Sequence, residues 1–251
     1  MPDRNQSDMI EVSTAGDERV RLLTLDRPDR RNAVDIDAVN TLADAVWQAH
    51  DEGARAVVLA GKGPHFCAGA DLKAGEPLEF AAHLRRALDA LRDVPCVTIA
   101  AVHGAALGAG MQLAVACDLR VATADARFGI PAAKLGLMVD HWTVQRVASL
   151  CGQGPARAVL LACEEIAADD AHRLGLVSRI GDLDAAVAWA ERIAELAPLT
   201  IAGQKLALNR LEPPADDPEV RAAFEKAWAS EDLVEGRAAF AEKRAPSFRG
   251  R

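Results

Sequence analysis

Tyrosine is absent from the 251 residues, and phenylalanine and tryptophan together supply only 4% of them. No phenol is therefore available anywhere in the chain as a proton donor or hydrogen-bonding group. The five cysteines, Cys67, Cys96, Cys117, Cys151 and Cys163, are odd in number, scattered and without a C-x-x-C pair. That speaks against a disulfide framework, a thioredoxin-like redox centre or a cysteine zinc site, and for reduced thiols in a core. The six histidines form no H-x-x-x-H pair, no G-x-S-x-G is present, and no glycine loop ends in G-K-S/T. Common metallohydrolase, serine-hydrolase and P-loop signatures are thus missing, and no metal is expected. No stretch reaches the roughly 18 uninterrupted apolar residues of a membrane helix, and the opening MPDRNQSDMIEV lacks the apolar segment of a secretion signal. The expectation is a cytoplasmic protein with no membrane span. Positive charge is in the minority, 29 Lys and Arg against 37 Asp and Glu for a formal net charge of −8. This argues against nucleic acid as the main partner but leaves an anionic small molecule open, because such a ligand feels local cations and backbone N–H groups.

Apolar residues are plentiful, at 50% of the chain, and a chain of this length buries roughly 70–75% of the surface its unfolded form exposes. The runs MIEVST and VRLLTL, separated by G-D-E at 16–18, predict a hairpin. Ile36, Val39, Leu42, Ala43, Val46 and Trp47 recur at helical spacing after Asp35, a candidate N-cap, and the pattern stops at Gly53. Strands are expected at 55–61, 96–102 and 118–123, and a helix at 77–93. The stretch from Asp140 onward reads as helices near 141–151, 154–162, 182–196, 198–211 and 217–243, interrupted by the β-like LVSRI at 176–180. The fold class is α/β, divided near residue 195 into a core (1–195) and a helical C-terminal region (196–251). Phe224, Trp228, Leu233, Val234 and Phe240 give that region more apolar surface than a helix facing only water needs. Two readings stay open: packing onto a neighbouring subunit, or docking onto the chain's own core.

Two loops share one design. In FCAGADLK (66–73) and HGAALGAGMQLA (103–114) a strand ends, small residues turn the chain and a helix begins. The second does not fit a dinucleotide loop, because its glycines are spaced G-x-x-x-G-x-G. Small residues let a ligand approach the backbone, and the first N–H groups of a helix have no intrahelical partner and lie at the positive end of its dipole. Two such loops converging would stabilise negative charge developing on an oxygen; either alone is as well explained by close packing.

The sequence resembles the enoyl-CoA hydratase/isomerase (crotonase) superfamily over nearly its whole length. The resemblance rests on LDRPDRRNAV at 25–34, GPHFCAGADLK at 63–73, AVHGAALGAGMQLAVACDLRVA at 101–122, FGIPAAKLGL at 128–137, LGLVSRI at 174–180 and SEDLVEGRAAFAEKRAPSF at 230–248. It implies a crotonase (ClpP-like) spiral of strand-strand-helix turns with a helical trimerisation region, assembled as a homo-trimer or a hexameric dimer of trimers. It implies an acyl-CoA thioester as ligand, with coenzyme A entering as part of that ligand and no covalently bound cofactor. By the same resemblance the backbone N–H groups of Ala70 and Ala109 would hold the thioester oxygen. Arg30, Arg31, Ala33, Ala68, Asp71, Leu72 and Lys73 would line the coenzyme A groove, with Phe224, Phe240 and Lys243 joining from the C-terminal region. Exposed basic residues could equally be solvated surface.

The resemblance places Gln112 and Ala132 where the family carries its two catalytic glutamates, as in a bacterial subgroup lacking both. An amide can hold a water but has no useful basicity, and a methyl group offers nothing, whereas a positioned acid or base is worth about 10²–10⁴ in rate. Asp140 matches a position that carries an aspartate in isomerase and dehalogenase branches; it is a candidate acid/base, and equally well placed to cap the following helix. His141 beside it would point elsewhere. Glu164 and Glu165 match no catalytic motif. Lack of tyrosine excludes ring closure of the dihydroxynaphthoyl-CoA synthase type. Leu72, Leu78, Phe80, Leu84, Met111, Met138 and Trp142 are expected either to form an apolar acyl tunnel or to serve as ordinary core. The resulting expectation is an acyl-CoA-binding protein of fatty-acid metabolism, nominally an enoyl-CoA hydratase but weak or inactive as one. Its alternatives are an enoyl-CoA isomerase using Asp140, or a hydratase using another carboxylate.

Overall fold

The computed structural model describes residues 9–16, 18–71, 77–211 and 217–250. Strands β1 (Ile10–Thr14) and β2 (Val20–Leu25) form the expected hairpin, with Ile10 opposite Leu25 and Thr14 opposite Arg21. From β2 the sheet continues in parallel through β3 (Ala56–Gly61), β4 (Val97–Val102), β6 (Leu119–Ala122) and β9 (Arg179–Ile180), in the order β1-β2-β3-β4-β6-β9. Parallel strands covered on both faces read as continuous apolar runs, and AVVLA of β3 is buried at every residue. Its alternate residues serve different cores. Val57 and Leu59 join Leu23, Ala100 and Val102 beneath α1 (Ile36–Asp51) and α2 (Pro77–Asp93). Ala56, Val58 and Ala60 join Val20, Ile99 and Val121 against α7 (Leu183–Ala194). Asp35 caps α1 by accepting the Ala38 N–H at 3.0 Å.

A second, three-stranded sheet lies inside what the sequence reads as loops: β5 (Ala105–Leu107), β7 (Arg127–Gly129) and β8 (Ile166–Ala167), in the order β5-β7-β8. Strands of two or three residues are too short to show alternation. Between β5 and β6 runs α3 (Ala109–Ala116), buried along its whole length. Its C-terminal carbonyls are met by two guanidiniums. The fully buried Arg120 donates to the Ala114 and Cys117 carbonyls, and Arg146 to that of Val115 at 2.9 Å. Four further helices follow, α4 (His141–Cys151), α5 (Gln153–Leu161), the unanticipated α6 (Ala168–Arg173) and α8 (Pro198–Asn209), of which α4 packs on α3, α5 on α4 and α8 on α2. The buried ammonium of Lys205 latches α8 down, donating to Asp118 Oδ2 at 2.7 Å and to the carbonyls of Leu91 and Cys96. Only the last two residues of LVSRI are extended, where they pair with Val121 and Ala122.

The expected helix 217–243 is two helices, α9 (Pro218–Trp228) and α10 (Glu231–Glu242). Ser230 breaks them, its hydroxyl donating to the Ala227 carbonyl and accepting the Leu233 N–H to start the second. Within the single chain α10 docks onto its own core, against the 3-10 helix Pro131–Leu135. Glycines on both sides allow this approach: a Cβ on Gly136 would lie 2.4 Å from the Asp232 carbonyl oxygen, and one on Gly236 2.4 Å from that of Leu135. Phe240 and Val234 nevertheless remain largely exposed. Among the described residues no helix is long and apolar enough to cross a membrane, and no cluster of His, Cys, Asp or Glu could hold a metal ion.

Candidate functional site

Three segments far apart in sequence meet at the ends of β2, β3 and β4. Val34 bridges Ala70 in parallel fashion, through Val34 N–H to the Gly69 carbonyl (2.9 Å) and Asp71 N–H to the Val34 carbonyl (2.8 Å). Cys67 bridges Ala106 in the same way, donating to Ala105 and accepting from Leu107. These bridges fix both small-residue loops side by side. Among the glycines of these two loops the fit at Gly110 is the tightest, since a Cβ there would lie 2.1 Å from the Cys67 carbonyl oxygen. Gly108 takes the positive φ (54°) that opens α3, so Ala109 stays outside the left-handed region and its methyl group is tolerated there. Neither the Ala70 nor the Ala109 N–H is spent in these bridges, and both residues line one cavity of about 1050 Å³.

Asn32 staples the approach to the cavity. It is buried and left-handed (φ 55°), its Oδ1 accepts the Arg27 N–H at 2.9 Å, and its amide donates to the Lys62 and His65 carbonyls. Arg27 and Arg30 both pair with Asp71, at 3.2 and 2.7 Å. The cavity collects Arg30, Arg31, Ala33, Ala68 and Asp71 together with Phe224 and Phe240 of the chain's own C-terminal helices. Lys243 does not line it; it ends α10 in a left-handed conformation, its N–H donated to the Phe240 carbonyl. Leu72 and Lys73 lie outside the described residues. Burial, and then the charges of Arg31 and Arg127, hold the nearby His65 imidazole below its ordinary pKa, and its Nδ1 accepts the Ala105 N–H.

Gln112, Ala132 and Asp140 line the same cavity as the two N–H groups. Gln112 lies one turn along α3 from Ala109; it is 8% exposed, and its Oε1 accepts the hydroxyl proton of the fully buried Thr143 at 3.0 Å. Asp140 is already engaged twice. One carboxylate oxygen caps α4 by accepting the Thr143 N–H at 2.8 Å, and the other faces Arg85 at 3.3 Å. Arg85 lies over the Trp142 ring, 4.6 Å from its centroid, and also holds Asp89. His141 turns aside to Gln145, and Glu165 pairs with Arg127. Of the expected tunnel residues Leu78, Phe80, Leu84 and Met138 line the cavity, whereas Met111 and Trp142 are core. Thr143 and Arg85 escape sequence reading because their partners lie 31 and 55 residues away; the N-cap at Asp140 was the only local signal for Thr143.

The sequence profile described as Enoyl-CoA hydratase/isomerase matches residues 16–251. The chain belongs to the enoyl-CoA hydratase/isomerase family. Among its relatives is the Mycobacterium tuberculosis protein named "Probable enoyl-CoA hydratase echA6", 43% identical over 253 residues, covering 96% of this chain and all of the relative. The 2,3-dehydroadipyl-CoA hydratase of Escherichia coli is 37% identical, covering 97% of this chain and all of its own. Among solved structures, the carnitinyl-CoA hydratase of Mycobacterium avium superposes with a TM-score of 0.86 at 37% identity, covering 97% of this chain and 99% of that one. A methylmalonyl-CoA decarboxylase gives 0.88 at 23% identity, a likeness of fold. The α/β architecture is therefore that of the crotonase enzymes, as the motifs implied.

Proposed function

We propose that this family member binds acyl-CoA thioesters in fatty-acid metabolism, with hydratase activity weak or absent. The observation that carries the reading is a cavity lined by two residues whose backbone N–H groups are not spent in the bridges, together with an amide and a methyl group where the family's acid and base would stand. Hydration of a conjugated enoyl thioester needs one carboxylate to activate water and a second carboxyl to manage the α-proton. The carboxylates lining the cavity are Asp29, Asp71 and Asp140 among the described residues. Asp71 is held by two arginines, and Asp140 is shared between a helix cap and Arg85. Those engagements weigh against the isomerase reading that uses Asp140 and against hydration by a substitute carboxylate.

The thioester oxygen would accept from Ala70 and Ala109, with Arg30, Arg31 and the Asp71 region along the coenzyme A moiety and Leu78, Phe80 and Leu84 along the acyl chain. The protein would work in the cytoplasm as a homo-trimer or hexamer. The exposed Leu199, Leu211, Val234 and Phe240 are apolar surface that such an assembly would cover. The test mixes purified protein with short and long 2-enoyl- and 3-enoyl-CoA, follows the conjugated thioester absorbance, and measures binding by calorimetry. Tight binding without turnover is expected. Rapid hydration by the unmodified protein overturns the reading of Gln112 and Ala132. Turnover of 3-enoyl-CoA that vanishes in Asp140→Asn establishes the isomerase instead, and failure to bind any acyl-CoA removes the ligand class itself.

A further inference from the structure

Gln112 carries more information than the absence of a carboxylate. A buried amide can present either its oxygen or its nitrogen, and here it is the oxygen that is turned to the wall. The Thr143 hydroxyl donates to its oxygen, and Thr143 is itself held by the Asp140 cap on its backbone N–H. With the oxygen committed to the wall, the N–H₂ end is what the side chain has left for the cavity that Gln112 lines. A donor that reaches into a cavity adds affinity for a ligand that carries an acceptor at that point.

Its position specifies what should meet it. Ala109 and Gln112 are three residues apart on α3, so their Cβ atoms lie about 5–6 Å from each other on one helix face. A thioester oxygen at the Ala109 N–H therefore brings the second carbon beyond the carbonyl carbon, the β-carbon, within reach of the amide. A saturated or enoyl chain offers only C–H there. A β-oxygen offers an acceptor, and the small Ala132 side chain leaves room for it.

From this juxtaposition we infer that Gln112 is a specificity-determining hydrogen-bond donor, and that the pocket selects acyl thioesters oxygenated at the β-carbon, 3-oxoacyl-CoA first, over saturated ones. This rests on the acyl-thioester reading above and deepens it. Thr143 is the positioning residue that keeps the amide turned outward.

The experiment is calorimetric titration with a 3-oxoacyl-CoA and the saturated acyl-CoA of the same chain length, on wild type, Gln112→Leu, Gln112→Glu and Thr143→Val, with melting curves for each. Wild type should bind the 3-oxo ester about five- to tenfold more tightly, the worth of one neutral hydrogen bond. Gln112→Leu should bring the ratio to about one. Gln112→Glu, nearly isosteric and presenting an acceptor to an acceptor, should invert it and gives the answer if the leucine variant does not fold. Thr143→Val frees the amide to rotate and should reduce the ratio without abolishing it, an effect on selectivity that loss of stability alone does not produce. A wild-type ratio of one, or a preference that survives both Gln112 variants, overturns the inference while leaving acyl-CoA binding standing. Failure of wild type to bind either ester overturns both.

Discussion

The lining of the cavity is built in two different ways. One half is backbone: Ala70 and Ala109 offer N–H groups whose direction is set by parallel bridges at Val34–Ala70 and Cys67–Ala106 and by a glycine that tolerates no Cβ. The other is side chain: Gln112, Ala132 and Asp140 belong to α3, a 3-10 helix and the start of α4, and none of them contributes a backbone bridge between the two loops. The backbone half has to survive for the fold to close, whereas the side-chain half decides which chemistry, if any, is done there.

The largest effect should come from rewriting the side-chain half alone. Gln112→Glu combined with Ala132→Glu supplies two carboxyl groups facing an unaltered pair of N–H groups. Hydration of 2-enoyl-CoA should rise by about 10² to 10⁴, the worth of a positioned acid or base, read from the loss of conjugated thioester absorbance. No gain would mean that the two halves are not separable as described. The converse change is Gly110→Ala, whose methyl meets the Cys67 carbonyl oxygen. Overpacking against backbone costs about 1–3 kcal/mol, and the two loops must part to relieve it, so both the melting temperature and acyl-CoA affinity should fall.

Asp140 sharpens the comparison further because its two roles respond differently. Asp140→Asn keeps an oxygen for the Thr143 N–H and should melt close to wild type, while Asp140→Ala loses the cap and should cost about 0.5–2 kcal/mol. Equal losses in denaturant titration would show that the Arg85 pair, rather than the cap, dominates. Outside the alkaline range the smallest effect is that of the thiols behind the backbone half, which acts only above about pH 8.5. Burial pushes Cys67 and Cys117 up to about 12, against about 8.5 for an unfolded thiol. The raised values favour the folded state below pH 8.5, and this contribution is lost as pH rises toward 12 while the unfolded chain sheds its protons first. Stability should decline over that window, and less steeply in Cys117→Ala once its own lower baseline is subtracted; an identical slope would remove the thiols as the cause.

Much of the backbone half was legible because its signals are local. Apolar runs gave β3 and β4, and clustered small residues between strand and helix marked both loops. The β5-β7-β8 sheet was not legible, since two- and three-residue strands have no period to detect. The side-chain half was legible only as residue types. That Thr143 would turn the Gln112 amide, or that Arg85 would reach Asp140, depends on α2 and α4 meeting beside α3, and nothing within a dozen residues of either announces it. The break at Ser230 was hidden for another reason: apolar spacing runs on across it, and the serine that ends one helix and starts the next is an ordinary surface residue by composition.

Asn32 also has a meaning in time. Its one side chain ties the turn after β2 to the loop after β3, and that loop in turn holds the segment after β4. The full set of these contacts cannot form until three strands separated by tens of residues have found their register, and closing such long loops precedes the contacts that reward it. A nascent or partly folded chain thus has no half-made cradle with which to capture a thioester. Ligand capture becomes a certificate that the sheet is complete.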